Sequence, residues 1–450
     1  MFHSGQAQPI GHRRPGLWPR LFGVVAGAVL LLSACGPAAT NDDDRRFANE
    51  TEPPRATLAP QGSPVASRPG DLLPPVAATP DLGRLLSPPA TASTAFFLLD
   101  GRLLIARIDG AIQEVLLPGP VSALSISSAG DVAAVLVRSN SDAGTPAASP
   151  EQPTTPDPAA SAGGTGLDVS AVVIGADGAV IRTIDDLRTT LEGRPDIIEA
   201  MSGESSVATV AIGPTPGDLL VAFSDGLLVR FPAEGEAAIV PGSGNLADVV
   251  TVVWSPDGGA LAIVAAGEDG GIPALYYTAL REDGIDPVRV APALGRTTGG
   301  VAWLPDSRGL VFIDASGPVS AETLRAGRDL FVTPLRSDRR TLVAAAGIIG
   351  PSAGVVDFVV SPDGASVAYT LYRAEGNDAR FNSLWVGGID GRSPVQLSLP
   401  DGGGVQGLAW TVAGLLVLTS PAADGAPAAL LVGPDGVARP ATDQVSTPAA

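Results

Sequence analysis

From residue 95 onward the chain is written in short apolar runs rich in Val, Leu, Ile and aromatics, separated by Gly, Pro and Asp. That pattern predicts strands and turns, and no window carries the 3.6-residue apolar stripe of a long amphipathic helix. One frame repeats. Val252-Val253-Trp254-Ser255-Pro256-Asp257-Gly258 leads into Leu261-Ala262-Ile263-Val264. It returns as Val301-Ala302-Trp303-Leu304-Pro305-Asp306 before Leu310-Val311-Phe312-Ile313, and as Phe358-Val359-Val360-Ser361-Pro362-Asp363-Gly364 before Val367-Ala368-Tyr369. Weaker copies are Ser125-Ile126 before Val132-Ala133-Ala134-Val135, Ala211-Ile212-Gly213-Pro214 before Leu219-Leu220-Val221, and Leu408-Ala409-Trp410 before Leu415-Leu416-Val417.

Ser-Pro-Asp-Gly is turn chemistry. Proline presets φ near −65°, aspartate accepts from nearby backbone amides, and glycine takes the left-handed position at the reversal. A second turn follows each strand pair: Asp109-Gly110, Asp177-Gly178, Glu234-Gly235, Asp283-Gly284, Ser337-Asp338, Asp390-Gly391 and Asp435-Gly436. Four strands per unit, a to d, repeating every 43 to 60 residues or so, predict an all-β protein, a β-propeller of four-stranded blades. There are six a-to-b turns and seven c-to-d turns. Phe96-Phe97-Leu98-Leu99, Leu103-Leu104-Ile105 and Ile112 to Leu117 therefore read as strands b, c and d of a blade without its own first strand. Gln444-Val445-Ser446 is the candidate for that strand. Seven blades are expected, with six as the alternative.

The Trp-Ser-Pro-Asp-Gly frame followed by a Leu-Ala-hydrophobic strand resembles the TolB-like propeller repeat, related in style to WD-repeat propellers. The resemblance spans about residues 95 to 441 and is plainest around Trp254, Trp303 and Val360. It implies an extracytoplasmic propeller that binds other macromolecules; it does not imply a particular partner, because the repeat is architectural.

Ahead of the propeller the pattern changes twice. Arg13, Arg14 and Arg20 precede an uncharged run over residues 21–34, which closes on Leu32-Ser33-Ala34-Cys35. Positive region, apolar region and small residues are the parts of a secretory signal. Fourteen residues of helix rise about 21 Å, short of a bilayer core of roughly 30 Å. Leu32, Ser33, Ala34 and Cys35 resemble the bacterial lipobox, which implies lipid attachment at Cys35. Cys35 is the sole cysteine, so a disulfide within the chain is excluded. The competing reading is an ordinary signal peptide with an incidental cysteine. Residues 1–34 thus read as a lipoprotein signal and 35–92, rich in Pro, Ala and Thr, as a tether without a packed core. Residues 93–450 read as the propeller, with a low-complexity insertion at 139–166. Several acyl chains on one cysteine make attachment to the membrane effectively stable.

Charge and missing residue types narrow the chemistry. Loss of residues 1–34 removes three Arg and no acid, taking the formal charge from −19 to −22. So acidic a surface repels phosphate backbones, which argues against nucleic acid. The chain has no Lys, and both histidines, His3 and His12, precede Cys35. Ser-His-Asp hydrolysis, lysine Schiff bases and histidine-bearing zinc sites are excluded from the mature chain. No catalytic residue, cofactor or metal is expected. Asp42, Asp43 and Asp44 read as solvated charge, since carboxylates without a folded loop do not close a calcium shell.

Trp254, Trp303 and Trp410 share one register with Ile126, Ile212 and Val360, which points to packing between blades; Trp385 reads as core as well. Long insertions at 139–166, 185–206, 266–273, 315–328 and 374–382 all fall on b-to-c or d-to-a connections, which share one face of a propeller. Leu187, Leu191, Ile197 and Ile198 outline a short helix broken at Gly193-Arg194-Pro195. The pairs Glu268 with Asp269 and Glu375 with Asp378 read as loop charge. The expected function is a non-catalytic scaffold, lipid-anchored outside the cytoplasmic membrane, that binds an envelope protein or polymer through the loop-rich face. Because Gly36 follows Cys35, the familiar inner-membrane retention signal is missing, and an outer membrane is a possible address where one exists. The alternatives are a carboxylate-dependent propeller enzyme acting on glycans or lactones, and a small-solute sensor.

Overall fold

The computed structural model describes residues 82–86, 92–138, 168–202, 205–266, 273–293, 300–314, 329–337, 339–345, 353–375, 378–400, 404–420 and 427–441. Their strands form six four-stranded antiparallel sheets and one three-stranded sheet, each with consecutive strands side by side. The protein is an all-β, seven-bladed propeller, as the seven c-to-d turns predict. The blades span residues 94–115, 121–184, 207–239, 251–292, 301–344, 353–396 and 405–440. Three short helices accompany them among the described residues: α1 (Leu82–Leu86), α2 (Leu187–Glu192) and α3 (Pro195–Ala200).

The core is not one mass but seven seams. Each of seven apolar clusters fills the space between two neighbouring blades. Strand b of blade 4 (Ala260–Ala265) shows why its sequence is apolar without a break. Leu261, Ile263 and Ala265 face blade 3, whereas Ala260, Ala262 and Val264 face blade 5. Side chains alternate across a strand, so burial on both sides removes the polar half of the alternation. The ring closes where Ala95, Phe97, Leu104 and Ala106 of blade 1 meet Leu416, Leu418, Ala429 and Leu431 of blade 7.

The a-to-b turns are built by the residues that predict them. Gly258 donates to the Ser255 carbonyl at 2.9 Å, and the Gly259 amide donates to Asp257 Oδ1 at 3.0 Å. The Ser255 hydroxyl donates to the same oxygen at 2.6 Å and accepts from the Ala260 amide at 2.9 Å. Ser361, Asp363 and Ser366 repeat the arrangement at 2.6 and 2.8 Å. Gly258 and Gly364 have φ of 75° and 71°, the left-handed region the turn demands.

In blade 1, Ile108 donates to the Ser93 carbonyl at 3.2 Å. The same bond, from the residue after strand c to the residue before strand b, joins Leu280 to Gly259, Leu335 to Arg308 and Ile389 to Ala365. The Asp109-Gly110 turn then matches the c-to-d turns at Asp177, Asp390 and Asp435, each with an amide two residues on donating to the aspartate. The three described strands of blade 1 are therefore b, c and d. Gln444-Val445-Ser446, expected as its strand a, lies outside the described residues.

Two expectations are corrected. Ile126, placed with the tryptophans at the seams, is 43% exposed. Its preceding neighbour is blade 1, which has no described strand a to cover it. The insertion expected at 374–382 is largely sheet: strand b (Ser366–Glu375) and strand c (Asp378–Gly388) of blade 6 stay paired out to Glu375 opposite Asp378.

Candidate interaction surface

The two faces of the ring differ in how they are built. On one lie the six a-to-b turns and the seven c-to-d turns, several of which bond their own amides through a Ser or Asp side chain. On the other run the b-to-c and d-to-a connections. Of the five long insertions, 185–206 is described apart from 203–204, and 374–382 is the hairpin just noted; 139–166, 267–272 and 315–328 lie outside the described residues.

The 185–206 connection forms two helices rather than one. Asp186 caps α2, its carboxylate accepting from the amides of Arg188 at 3.1 Å and Thr189 at 3.4 Å and from the Thr189 hydroxyl at 2.7 Å. The Thr189 hydroxyl, foremost, draws the Asp186 pKa below its ordinary value. Pro195 suits the first turn of α3, where its missing N–H costs no helical bond. Leu187, Leu191 and Ile197 are fully buried in the seam between blades 2 and 3. Burying each of these side chains contributes about 1.5–3 kcal/mol, so the helices are rooted in the ring and do not drift over it.

Ion pairs and hydrogen bonds fasten the rest. Arg194 donates to Asp196 at 2.7 Å and to the Ala237 carbonyl of blade 3. That Arg194 pairing, above all its hydrogen bond, lowers the Asp196 pKa. Asp225, in the b-to-c turn of blade 3, accepts from the Ser202 and Leu227 amides at 2.9 and 3.2 Å and from the Ser205 hydroxyl. Burial pushes the Asp225 pKa up, but these donors, Ser205 first, outweigh it and the net shift is downward. Outward on α2 and α3 are Arg188, Thr189, Thr190, Glu192, Asp196 and Glu199, together with Ile198, which is 39% exposed. Leu116, on the neighbouring connection between blades 1 and 2, is 91% exposed.

The aromatic residues are placed at the seams. Trp254, Trp303 and Trp410 are buried. The Trp303 indole donates to the Val253 carbonyl at 3.0 Å, and Trp410 donates to the Val359 carbonyl at 3.2 Å; each acceptor sits on strand a of the preceding blade. Trp254 donates within its own turn, to Gly258, at 3.1 Å. Trp385 is half-buried against the seam of blades 5 and 6, its indole donating to Ser383 at 2.9 Å. Burial pushes the Tyr369 phenol up to about 12, so it stays neutral within the core. Cys35 with Leu32, Ser33 and Ala34, the Asp42 to Asp44 triplet, and the pair Glu268 with Asp269 all lie outside the described residues. Among the described residues no group of three or more His, Cys, Asp or Glu could hold a metal ion, and no helix is long and apolar enough to cross a membrane. Sequence reasoning missed Leu116, whose exposure depends on where the short connection between blades 1 and 2 turns.

No protein-family model and no curated protein matches this chain. Among solved structures it is similar to a putative TolB from Agrobacterium tumefaciens, at 18% identity and a TM-score of 0.38, over 54% of this chain and 82% of that one. It is similar to TolB from Acinetobacter baumannii at 13% identity and a TM-score of 0.39, over 67% of this chain and 62% of that one. The tricorn protease is likewise similar, at 12% identity and a TM-score of 0.43, over 76% of this chain and 34% of that one. These are likenesses of fold. The seven-bladed ring itself rests on the strand order and on the seven seams.

Proposed function

We propose that this protein is a lipid-anchored, extracytoplasmic, non-catalytic propeller that binds a protein or polymer of the cell envelope through its loop-rich face. The anchor is Cys35, and the residues after it form the tether that lets the ring stand off the membrane. The observation that carries the assignment of the face is the pair of helices α2 and α3. Leu187, Leu191 and Ile197 fix them to the ring, while Ile198 and the surrounding acids are offered to solvent. A rigid support beneath an apolar centre with a polar rim is the usual construction of a binding patch. The reciprocal surface on the partner is expected to be apolar with a basic rim.

A photo-crosslinking residue at Ile198 or Leu116, in the full chain and in its native membranes, is expected to give a discrete adduct. The same residue at Val412, in the a-to-b turn of blade 7 and 50% exposed, is expected to give none. Adducts at Val412 alone, or equal adducts at all three positions, overturn the assignment of the face.

A further inference from the structure

Between the outer parts of blades 4 and 5 lies a cleft of about 720 Å³. One wall is strand d of blade 4 (Val288–Pro292) with the turn before it, and the other is the turn after strand c of blade 5 (Leu330–Pro334). Arg281, Arg289, Arg336 and Arg340 line it, against the carboxylates Asp283 and Asp286. The cleft thus holds a local excess of positive charge in a protein with 47 acidic and 28 basic residues.

Several arginines elsewhere in the ring are committed to partners. Arg182 donates to the carbonyls of Gly217 and Pro232, both at 2.7 Å, and Arg230 pairs with Asp218 at 2.7 Å. Arg188 pairs with Asp168 at 3.2 Å. The side chains of the four cleft arginines have no hydrogen-bond or ion-pair partner among the described residues, and the Arg340 guanidinium lies 5.5 Å from the centre of the Phe331 ring. A guanidinium seated on an aromatic face keeps its planar fork of donors for a carboxylate.

A second, independent feature lies beside them. Strand d of blade 4 is the outermost strand of its sheet, so the backbone groups of its outer edge pair with no other strand. Along it Val288 is 59% exposed. The register with strand c shifts so that Arg289 faces Tyr276 and Ala291 faces Leu275, leaving Val290 as the extra residue of a bulge. Tyr277, Val290 and Leu335 give the cleft an apolar strip between the arginines.

We propose that this cleft binds an extended acidic peptide segment of a partner protein, which adds along strand d of blade 4 while its carboxylates engage the four guanidiniums. Addition to a strand edge supplies main-chain hydrogen bonds, and side chains alternating along the added strand supply specificity. An anionic glycan answers the arginines but leaves the strand edge and the apolar strip unused, so a peptide fits more of the site. The cleft lies at the c-to-d turns, away from the connections of the loop-rich face, and stands or falls separately from that assignment.

The test is titration of the full chain with a labelled peptide of three Glu-Val repeats, beside its Gln-Val counterpart and dextran sulfate. Saturable binding of the Glu-Val peptide is expected, weaker by about tenfold or more for Gln-Val and for the variants R281Q/R289Q and R336Q/R340Q, and weakening as salt rises. The variant R102Q, which alters an exposed pair with Glu114 in blade 1, is expected to bind as the parent does. All variants are checked for an unchanged thermal transition. Absence of saturable peptide binding, equal binding by double variants that melt as the parent does, or binding of dextran sulfate alone overturns the proposal.

Discussion

Replacing Trp303 with alanine is expected to destabilise the ring by about 3–5 kcal/mol, the usual cost of removing a large aromatic side chain from a packed core. Trp303 is 6% exposed in the seam between blades 4 and 5, and its ring meets Tyr277 edge-on at 6.1 Å. The loss has two parts. The cavity forfeits the packing of the indole, and the Val253 carbonyl, which accepts from it at 3.0 Å, is left without that donor. Trp303→Phe separates them, since it keeps most of the apolar area and removes only the hydrogen bond, a change of about 1 kcal/mol beyond the lost area. Denaturant unfolding followed by tryptophan-independent circular dichroism measures both. A Trp303→Ala loss below about 1 kcal/mol contradicts the placement of this side chain as a structural strut.

The second large effect is expected at the seam that closes the ring. Gly407 lies in strand a of blade 7 (Val405–Thr411), where a Cβ would sit 2.4 Å from Phe97 Cδ1 of blade 1. Valine is favoured in strands, so Gly407→Val is expected to stabilise if the seam is open and to destabilise if Phe97 occupies it. We expect a loss of about 1–3 kcal/mol or more from overpacking. Phe97→Ala alone is expected to cost about 3–5 kcal/mol. Because the first substitution adds volume where the second removes it, the double variant is expected to be more stable than the sum of the two, by at least about 1 kcal/mol. Simple additivity contradicts the contact between blades 1 and 7.

Much of the fold is legible because it is local. In Ser255-Pro256-Asp257-Gly258 the hydrogen bonds of the Ser255 and Asp257 side chains join residues within five positions of one another, so the residue types announce the turn, although the Asp257 amide itself donates to Ser307 of the next blade. Strand b of blades 3, 4 and 5 is legible for a different reason: two-sided burial leaves no polar residue to interrupt the run. The hairpin of blade 6 was harder, because Arg373, Glu375 and Asp378 are polar where the strands pass beyond their neighbours, and polarity at that point imitates a loop. Ile126 shares its register with buried tryptophans, yet register cannot say what the adjoining blade provides, and blade 1 provides no described strand a. Along 185–206, Leu187 and Leu191 at helical spacing mark a helix, while Pro195, which reads in the sequence as part of a break in one helix, begins a second. The cleft arginines were invisible, since Arg281 and Arg289 stand some fifty positions from Arg336 and Arg340 and meet only when blades 4 and 5 lie side by side.

The functional account depends on where the ring is held. Mass spectrometry of the protein extracted from membranes tests this most directly. The account predicts a mature chain that begins at Cys35, with residues 1–34 removed and acyl chains added to the cysteine. A chain that retains residues 1–34, or that carries an unmodified thiol at Cys35, contradicts it.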